Sequence, residues 1–152
     1  MDLTSGQVSG LKSIVNSCLD QLFQNDNHLM DRSGLERSAA FRFGVYLNSA
    51  VNNIGWLTGL TVDMEYTKNG LYQKIIPSKL KGAHPDLILH NRGNNDKNVL
   101  VIEFKGYWSR TQLKSDRIKL TEFTDKEGNY RYGLGLLIKF GKKRDTVMIE
   151  YF

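Results

Sequence analysis

Apolar residues recur at helical spacing near the start of the chain and again from about residue 33. The first stripe predicts an amphipathic helix over roughly residues 5–24, for which Thr4 and Gln7 form a capping box. The second stripe predicts a helix that begins near Ser33, with Glu36 on or beside its buried face. Ser33 and Glu36 also have the spacing of a capping box, so a capping role and a catalytic role for Glu36 both stay open. The two stripes consist of Leu11, Ile14, Val15, Cys18, Leu19, Leu22 and Phe23, and of Leu35, Ala39, Ala40, Phe43, Leu47, Ala50, Val51 and Ile54.

Alternating and continuous apolar runs then predict the strands of a sheet. Residues 60–66 alternate as a half-buried strand does, and residues 71–76 follow a turn as a partner strand or an extended arm. Two short apolar runs, 87–90 and 98–105, predict adjacent buried strands joined by a polar loop. A weaker helical pattern, capped by Ser109 or Thr111, runs to about Phe123. The covered run 134–138 follows it, which favours a right-handed crossover into a parallel pair, and 146–152 predicts a final edge strand.

Size and composition predict one globular domain spanning residues 1–152. The chain has 40% hydrophobic and 24% charged residues, and its net charge of +5 favours a polyanionic partner without requiring one. Its single cysteine, Cys18, excludes an internal disulfide. The start has no signal-peptide pattern and no apolar run approaches membrane-spanning length, which predicts a cytoplasmic protein without membrane contact. His84 and His90 are too far apart along an extended strand to share a metal ion.

Charged residues interrupt the two central strands, where buried strands should carry none. Asp86 begins the first run, and Glu103 and Lys105 end the second on one face, with Phe104 on the other. If the strands pair, two carboxylates and an ammonium converge at one edge of the sheet. Carboxylate oxygens of this kind suit Mg²⁺. The pattern therefore predicts a metal-dependent phosphodiesterase site, while a turn role for Asp86 and a surface ion pair between Glu103 and Lys105 stay open.

The order of these residues is Glu36 in a helix, then Pro85-Asp86, then Glu103-Phe104-Lys105. It resembles the motif of the PD-(D/E)xK nuclease superfamily, which includes type II restriction endonucleases and archaeal Holliday-junction resolvases. The resemblance covers about residues 33–140 and implies an α/β protein with a restriction-endonuclease-like αβββαβ core. In such a core a central mixed sheet is flanked by helices, and here the first helix and the last strand would lie outside it.

The resemblance implies a role for each matching residue. Asp86, Glu103 and the backbone carbonyl of Phe104 would bind Mg²⁺, with Mn²⁺ as a substitute, and Glu36 would orient a metal-bound water or help a second metal. Lys105 would lie beside the attacking water, where desolvation lowers the pKa of a lysine and lets it assist deprotonation or stabilise developing charge. Position and charge make four further residues candidates for contact with nucleic acid: Gln112, Lys114, Lys79 and Lys81.

The function implied by the resemblance is Mg²⁺-dependent hydrolysis of DNA phosphodiester bonds by an endonuclease. The segment Gly34-Leu35-Glu36-Arg37 is similar to the helix start of archaeal resolvases, so cleavage of Holliday junctions or other branched DNA is an alternative. A non-cleaving nucleic-acid-binding module with the same fold is a second alternative, and a protein-interaction module that uses the first helix is a third. A homodimer is typical of the family, because cutting both strands of a duplex needs two sites.

Overall fold

The computed structural model describes residues 1–110 and 113–152 and contains four α-helices among them. The predicted capping box at the first helix is confirmed, because the Thr4 hydroxyl accepts from the Gln7 N–H at 3.2 Å and the Gln7 side chain accepts from the Thr4 N–H at 2.9 Å. The helices are α1 (Ser5–Asn25), the short α2 (His28–Asp31), α3 (Glu36–Val51) and α4 (Lys114–Thr124).

The predicted start of the second helix is wrong, and so is one of the two caps predicted for the third. Helix α3 begins at Glu36, after Leu35 in the capping position, so the predicted capping box of Ser33 and Glu36 does not form. Helix α4 begins at Lys114, well after Ser109, which therefore does not cap it. The alternative cap, Thr111, lies outside the described residues.

Five strands form a mixed sheet and two form a separate hairpin. The sheet has the strand order β1-β4-β5-β6-β7, and only the β5–β6 pair is parallel among its described pairings. The predicted parallel pair is confirmed, since β5 and β6 run parallel and α4 lies between them in the chain. The strands are β1 (Thr61–Met64), β2 (Lys68–Asn69), β3 (Tyr72–Gln73), β4 (Leu87–His90), β5 (Asn98–Lys105), β6 (Leu134–Lys139) and β7 (Met148–Tyr151).

Helices cover both faces of the sheet, so β5 is buried along almost its whole length. On one side, Phe104 packs with Phe43 of α3. On the other side, Val101 and Leu137 pack with Leu120 of α4. Since side chains alternate along β5, Phe104 lies on the α3 side and its two charged neighbours in sequence lie on the α4 side. No helix within the described ranges has both the length and the apolar character needed to span a membrane.

Candidate functional site

Asp86 lies directly before β4 and beside the end of β5. In the antiparallel register Leu87 faces Ile102, so one step further Asp86 faces Glu103. The Asp86 carboxylate accepts from the Phe104 backbone N–H at 2.7 Å. Burial raises the pKa of Asp86, although this hydrogen bond and nearby lysines act in the opposite direction. The predicted pairing of the two central strands is confirmed, and it brings the acid of the first strand to the charged end of the second.

Glu103 is a carboxylic acid in the protein interior, with 1% of its surface exposed. Its Oε2 lies 2.5 Å from the ammonium of Lys119, while its Oε1 is buried and has no hydrogen-bond partner among the described residues. Burial, and then the negative charge of Asp86, raise the pKa of Glu103 to about 8, against the opposing effect of Lys119. A buried oxygen without a donor is costly, and a bound cation would relieve that cost.

Lys105 forms an ion pair with α4, and this changes the role expected for it. Its ammonium lies 3.2 Å from the Asp116 carboxylate. Burial lowers the pKa of Lys105, but Asp116, and then Glu36 and Asp86, outweigh burial and raise it. The expectation of a lowered pKa is therefore wrong. A lysine that keeps its proton is suited to stabilising negative charge and unsuited to removing a proton from water.

Glu36 reaches from the first turn of α3 to the residue that follows the motif. Its carboxylate accepts from the Gly106 backbone N–H. Glu36, Asp86 and Phe104 all line one small cleft of about 140 Å³. Glu36 thus borders the candidate site, and its hydrogen bond joins α3 to the residue after β5. Its catalytic role stays a prediction.

Two charged residues of α4 that belong to the site were missed by the sequence analysis. Asp116 and Lys119 each contact one charged residue of the β5 motif, and they are 11% and 12% exposed at the side chain. Asp116 lies four residues before the buried Leu120, and Lys119 lies four residues before the buried Phe123. That spacing is the signal that was available, because charges in phase with a buried stripe have partners inside the protein.

The remaining candidates lie apart from this cluster or outside the described residues. Lys114, Lys79 and Lys81 are exposed, and Gln112 lies outside the described ranges. The two histidines have separate partners. His90, at the end of β4, contacts Asp63 at 2.9 Å, and the exposed His84, before β4, contacts Gln73.

The oxygen ligands available at this position suit a magnesium ion better than a metal ion whose ligands are all protein side chains. Within residues 1–110 and 113–152, no three His, Cys, Asp or Glu side chains are grouped closely enough to hold a metal ion. Mg²⁺ needs only one or two carboxylates, because water and phosphate oxygens complete its coordination. Asp86, Glu103 and the Phe104 carbonyl are oxygen donors of this kind, and Oε1 of Glu103 is an acceptor that Lys119 does not contact.

No model of a protein family, no curated protein and no solved structure matches this chain. Any assignment of function therefore depends on the residues and their geometry.

Proposed function

We propose that the protein is a metal-dependent DNA endonuclease with a PD-(D/E)xK site. The observation that carries this assignment is the position of Asp86, directly before β4, beside Glu103 of the paired strand β5. Lys105 lies two residues further on, and Glu103 Oε1 is buried without a partner among the described residues. The order α3, β1, β4, β5, α4, β6 supports a restriction-endonuclease-like αβββαβ core. In this interpretation the β2–β3 hairpin is an insertion between the first two core strands, and α1 and β7 are additions.

Each residue of the site has a defined part in phosphodiester hydrolysis. Asp86, Glu103 and the Phe104 carbonyl would hold Mg²⁺. When bound, Mg²⁺ supplies Lewis acidity to the phosphate and lowers the pKa of its bound water. Lys105, which keeps its positive charge, stabilises the charge that develops on the phosphate oxygens. Glu36 fixes the end of β5 through its hydrogen bond to the residue after Lys105.

A cleavage assay with matched variants tests this function. The substrates are linear duplex, supercoiled plasmid, a four-way junction and single-stranded DNA, each with Mg²⁺, Mn²⁺ or EDTA. We expect metal-dependent cutting whose rate falls at least about a hundredfold in Glu103→Gln and in Lys105→Ala. The first variant loses a metal ligand, and the second loses a charge that stabilises the transition state. Lys139→Ala is the matched control, because Lys139 of β6 is paired in register with Lys105 and is not part of the proposed site.

The same assay can contradict the assignment. Cutting at the wild-type rate by a folded Lys105→Ala protein would exclude the mechanism, and so would cutting that persists in EDTA and in Glu103→Gln. Preferential cutting of the four-way junction would select the resolvase alternative.

A non-cleaving nucleic-acid-binding module is the second candidate, and the contacts of α4 favour it. Lys119 and Asp116 already pair with Glu103 and Lys105, so the four charges could serve only to hold α4 on the sheet. Salt-sensitive binding of DNA with no turnover under any metal condition would select this candidate.

A further inference from the structure

The segment that connects β1 to β4, residues 66–84, folds into a small projection, which we call the tab. It contains the β2–β3 hairpin, and further backbone hydrogen bonds join its segments to one another. The Lys74 N–H donates to the Thr67 carbonyl at 2.6 Å, and the Ala83 N–H donates to the Lys74 carbonyl at 2.7 Å. Because these backbone groups are paired with one another, the tab is an element of defined shape.

The tab is held together by polar contacts of the buried Lys74 side chain, and Tyr130 joins it to the rest of the protein. The Lys74 side chain is 2% exposed, and its ammonium donates to the Lys68 carbonyl at 2.6 Å. The same ammonium lies 4.7 Å from the centre of the Tyr66 ring. The Tyr130 hydroxyl, from outside the tab, accepts from the Ile75 N–H at 2.9 Å. These contacts fix the backbone of the tab before any partner binds, which reduces the entropic cost of binding.

The outer part of the tab carries apolar side chains in water. Leu71, Tyr72 and Leu80 are 91%, 81% and 73% exposed, and they are the most exposed large hydrophobic residues of the described chain. Single exposed apolar side chains need no explanation, but three on one projection indicate a contact surface.

The charge of the tab indicates the chemistry of its partner. Residues 66–84 contain four lysines and no Asp or Glu, while the whole chain has a net charge of +5. Three of these lysines, Lys68, Lys79 and Lys81, are exposed. A set of exposed lysines without acids is complementary to a polyanion, and exposed apolar side chains beside it can stack on bases or insert between them.

Both ends of the tab meet at Asp86. Glu65, directly before the tab, donates its backbone N–H to the Asp86 carbonyl at 3.0 Å, and His84 lies two residues before Asp86. The Lys119 ammonium contacts the His84 carbonyl at 2.9 Å as well as the Glu103 carboxylate. The β2–β3 hairpin of the tab lies toward the other end of β4, where the Asn69 side chain accepts from the Asn95 side chain at 3.0 Å. A nucleic acid bound at the hairpin would therefore reach the candidate site by extending along β4.

We propose that the tab recognises DNA with unpaired bases, with Leu71 and Tyr72 contacting bases while Lys68, Lys79 and Lys81 bind neighbouring phosphates. This role rests on the proposed function, since it names the substrate class of the same site. In an intact duplex an apolar side chain must first separate stacked bases, whereas the bases at a bulge or junction are already accessible. The tab thus directs the site to bulged or branched DNA in preference to intact duplex.

The test is a binding experiment in EDTA, so that its result is independent of cleavage. Fluorescence anisotropy compares a labelled duplex with the same duplex carrying a three-base bulge. We expect the wild-type protein to bind the bulged DNA about tenfold more tightly or better, which is the effect of stacking on one base. The double variant Leu71→Ser, Tyr72→Ser should lose this preference and keep its affinity for duplex. The matched control is Met148→Ser, an exposed apolar residue of β7, and it should keep the preference.

The lysines are tested separately from the apolar residues. Lys79→Gln combined with Lys81→Gln should weaken the binding of both DNAs by a similar factor and reduce its salt dependence, because phosphate contacts do not distinguish bulge from duplex. Unchanged affinity and unchanged salt dependence in this variant would show that these two lysines do not contact the DNA.

The outcomes separate the tab from the nuclease. Equal wild-type affinity for both DNAs, or a preference that survives in Leu71→Ser, Tyr72→Ser, overturns the role of the tab even where cleavage succeeds. A preference lost in that variant, in a protein that never cleaves, supports the tab and counts against the nuclease. Binding to phosphatidylserine vesicles in place of DNA, through the same two side chains, would also overturn the proposal.

Discussion

Replacing Glu103 with glutamine should change how the stability of the protein depends on pH. The pKa of Glu103 is raised from its ordinary value of 4.5 to about 8 by burial, and then by the charge of Asp86. Between these two values the unfolded chain has an ionised Glu103, whereas the folded protein holds the proton. The folded state therefore binds more protons, and the free energy of unfolding falls as pH rises through this window. Glu103→Gln removes the titrating group and the fall that it causes.

The size of the effect follows from the two pKa values. Each pKa unit corresponds to about 1.36 kcal/mol, so the wild-type protein should lose about 3–4 kcal/mol between pH 5 and pH 8 through this residue alone. That loss is a large share of the roughly 5–15 kcal/mol that holds a typical domain folded.

The assay is urea unfolding at pH 5 and at pH 8, followed by circular dichroism in the presence of EDTA. The difference in free energy of unfolding between Glu103→Gln and the wild-type protein should shift in favour of the variant by about 3–4 kcal/mol from the lower to the higher pH. Glu150→Gln is the matched control. Its hydrogen bond to Arg117 holds the pKa of Glu150 below the ordinary value, so this acid stays ionised across the window.

Two results would refute parts of this reasoning. Stability differences that stay constant between pH 5 and pH 8 would mean that Glu103 does not carry a raised pKa in the folded protein. If the pH effect is present, adding Mg²⁺ at pH 8 should stabilise the wild-type protein and not Glu103→Gln, because a ligand that binds only the folded state stabilises it. An equal effect of Mg²⁺ on both proteins would count against Glu103 as a metal ligand.

Two further predictions concern buried side chains, and both are measured by urea unfolding. Phe104→Ala should lower the free energy of unfolding by about 3–5 kcal/mol, because its ring packs 5.3 Å from those of Phe43 and Phe140. Phe41→Ala, which is 58% exposed, should lower it by less than about 0.5 kcal/mol, and equal losses in the two variants would contradict the packing. Burial lowers the pKa of Lys74 from 10.5 to about 8, so between these values the unfolded state binds more protons and wild-type stability should rise with pH. Lys74→Met should remove that rise, and an unchanged slope in the variant would show that another group causes it.

The elements that could be predicted are those with a strong local pattern. The apolar stripe of α1 and its cap residues are neighbours in the sequence, and so are the side chains of the two central strands. The pairing of β4 with β5 followed from their shared burial and the short polar loop between them. Local periodicity was sufficient in these cases because the pattern that predicts each element lies within the element itself.

The features that could not be predicted depend on contacts between distant residues. Ser33 and Glu36 have the spacing of a cap, but Glu36 instead accepts from Gly106, which is 70 residues away in sequence. Burial alone predicts a lowered pKa for Lys105, whereas the structure also places Asp116 beside it, and the pKa is raised. A single sequence shows which groups are charged, but it does not show which charged groups lie close together in the folded protein.

Burial raises the pKa of both Asp86 and Glu103, and the charge of Asp86 adds to this effect at Glu103. When all are ionised, four carboxylates interact with two ammonium groups, which leaves an excess of two negative charges in a largely buried region. The members of this cluster are Glu36, Asp86, Glu103, Asp116, Lys105 and Lys119. Because the pKa of Glu103 is raised to about 8, a proton on this residue compensates part of the excess near neutral pH. One divalent cation carries the charge that would balance it without protons, which is why Mg²⁺ binding at this site should release protons and become tighter as pH rises toward 8.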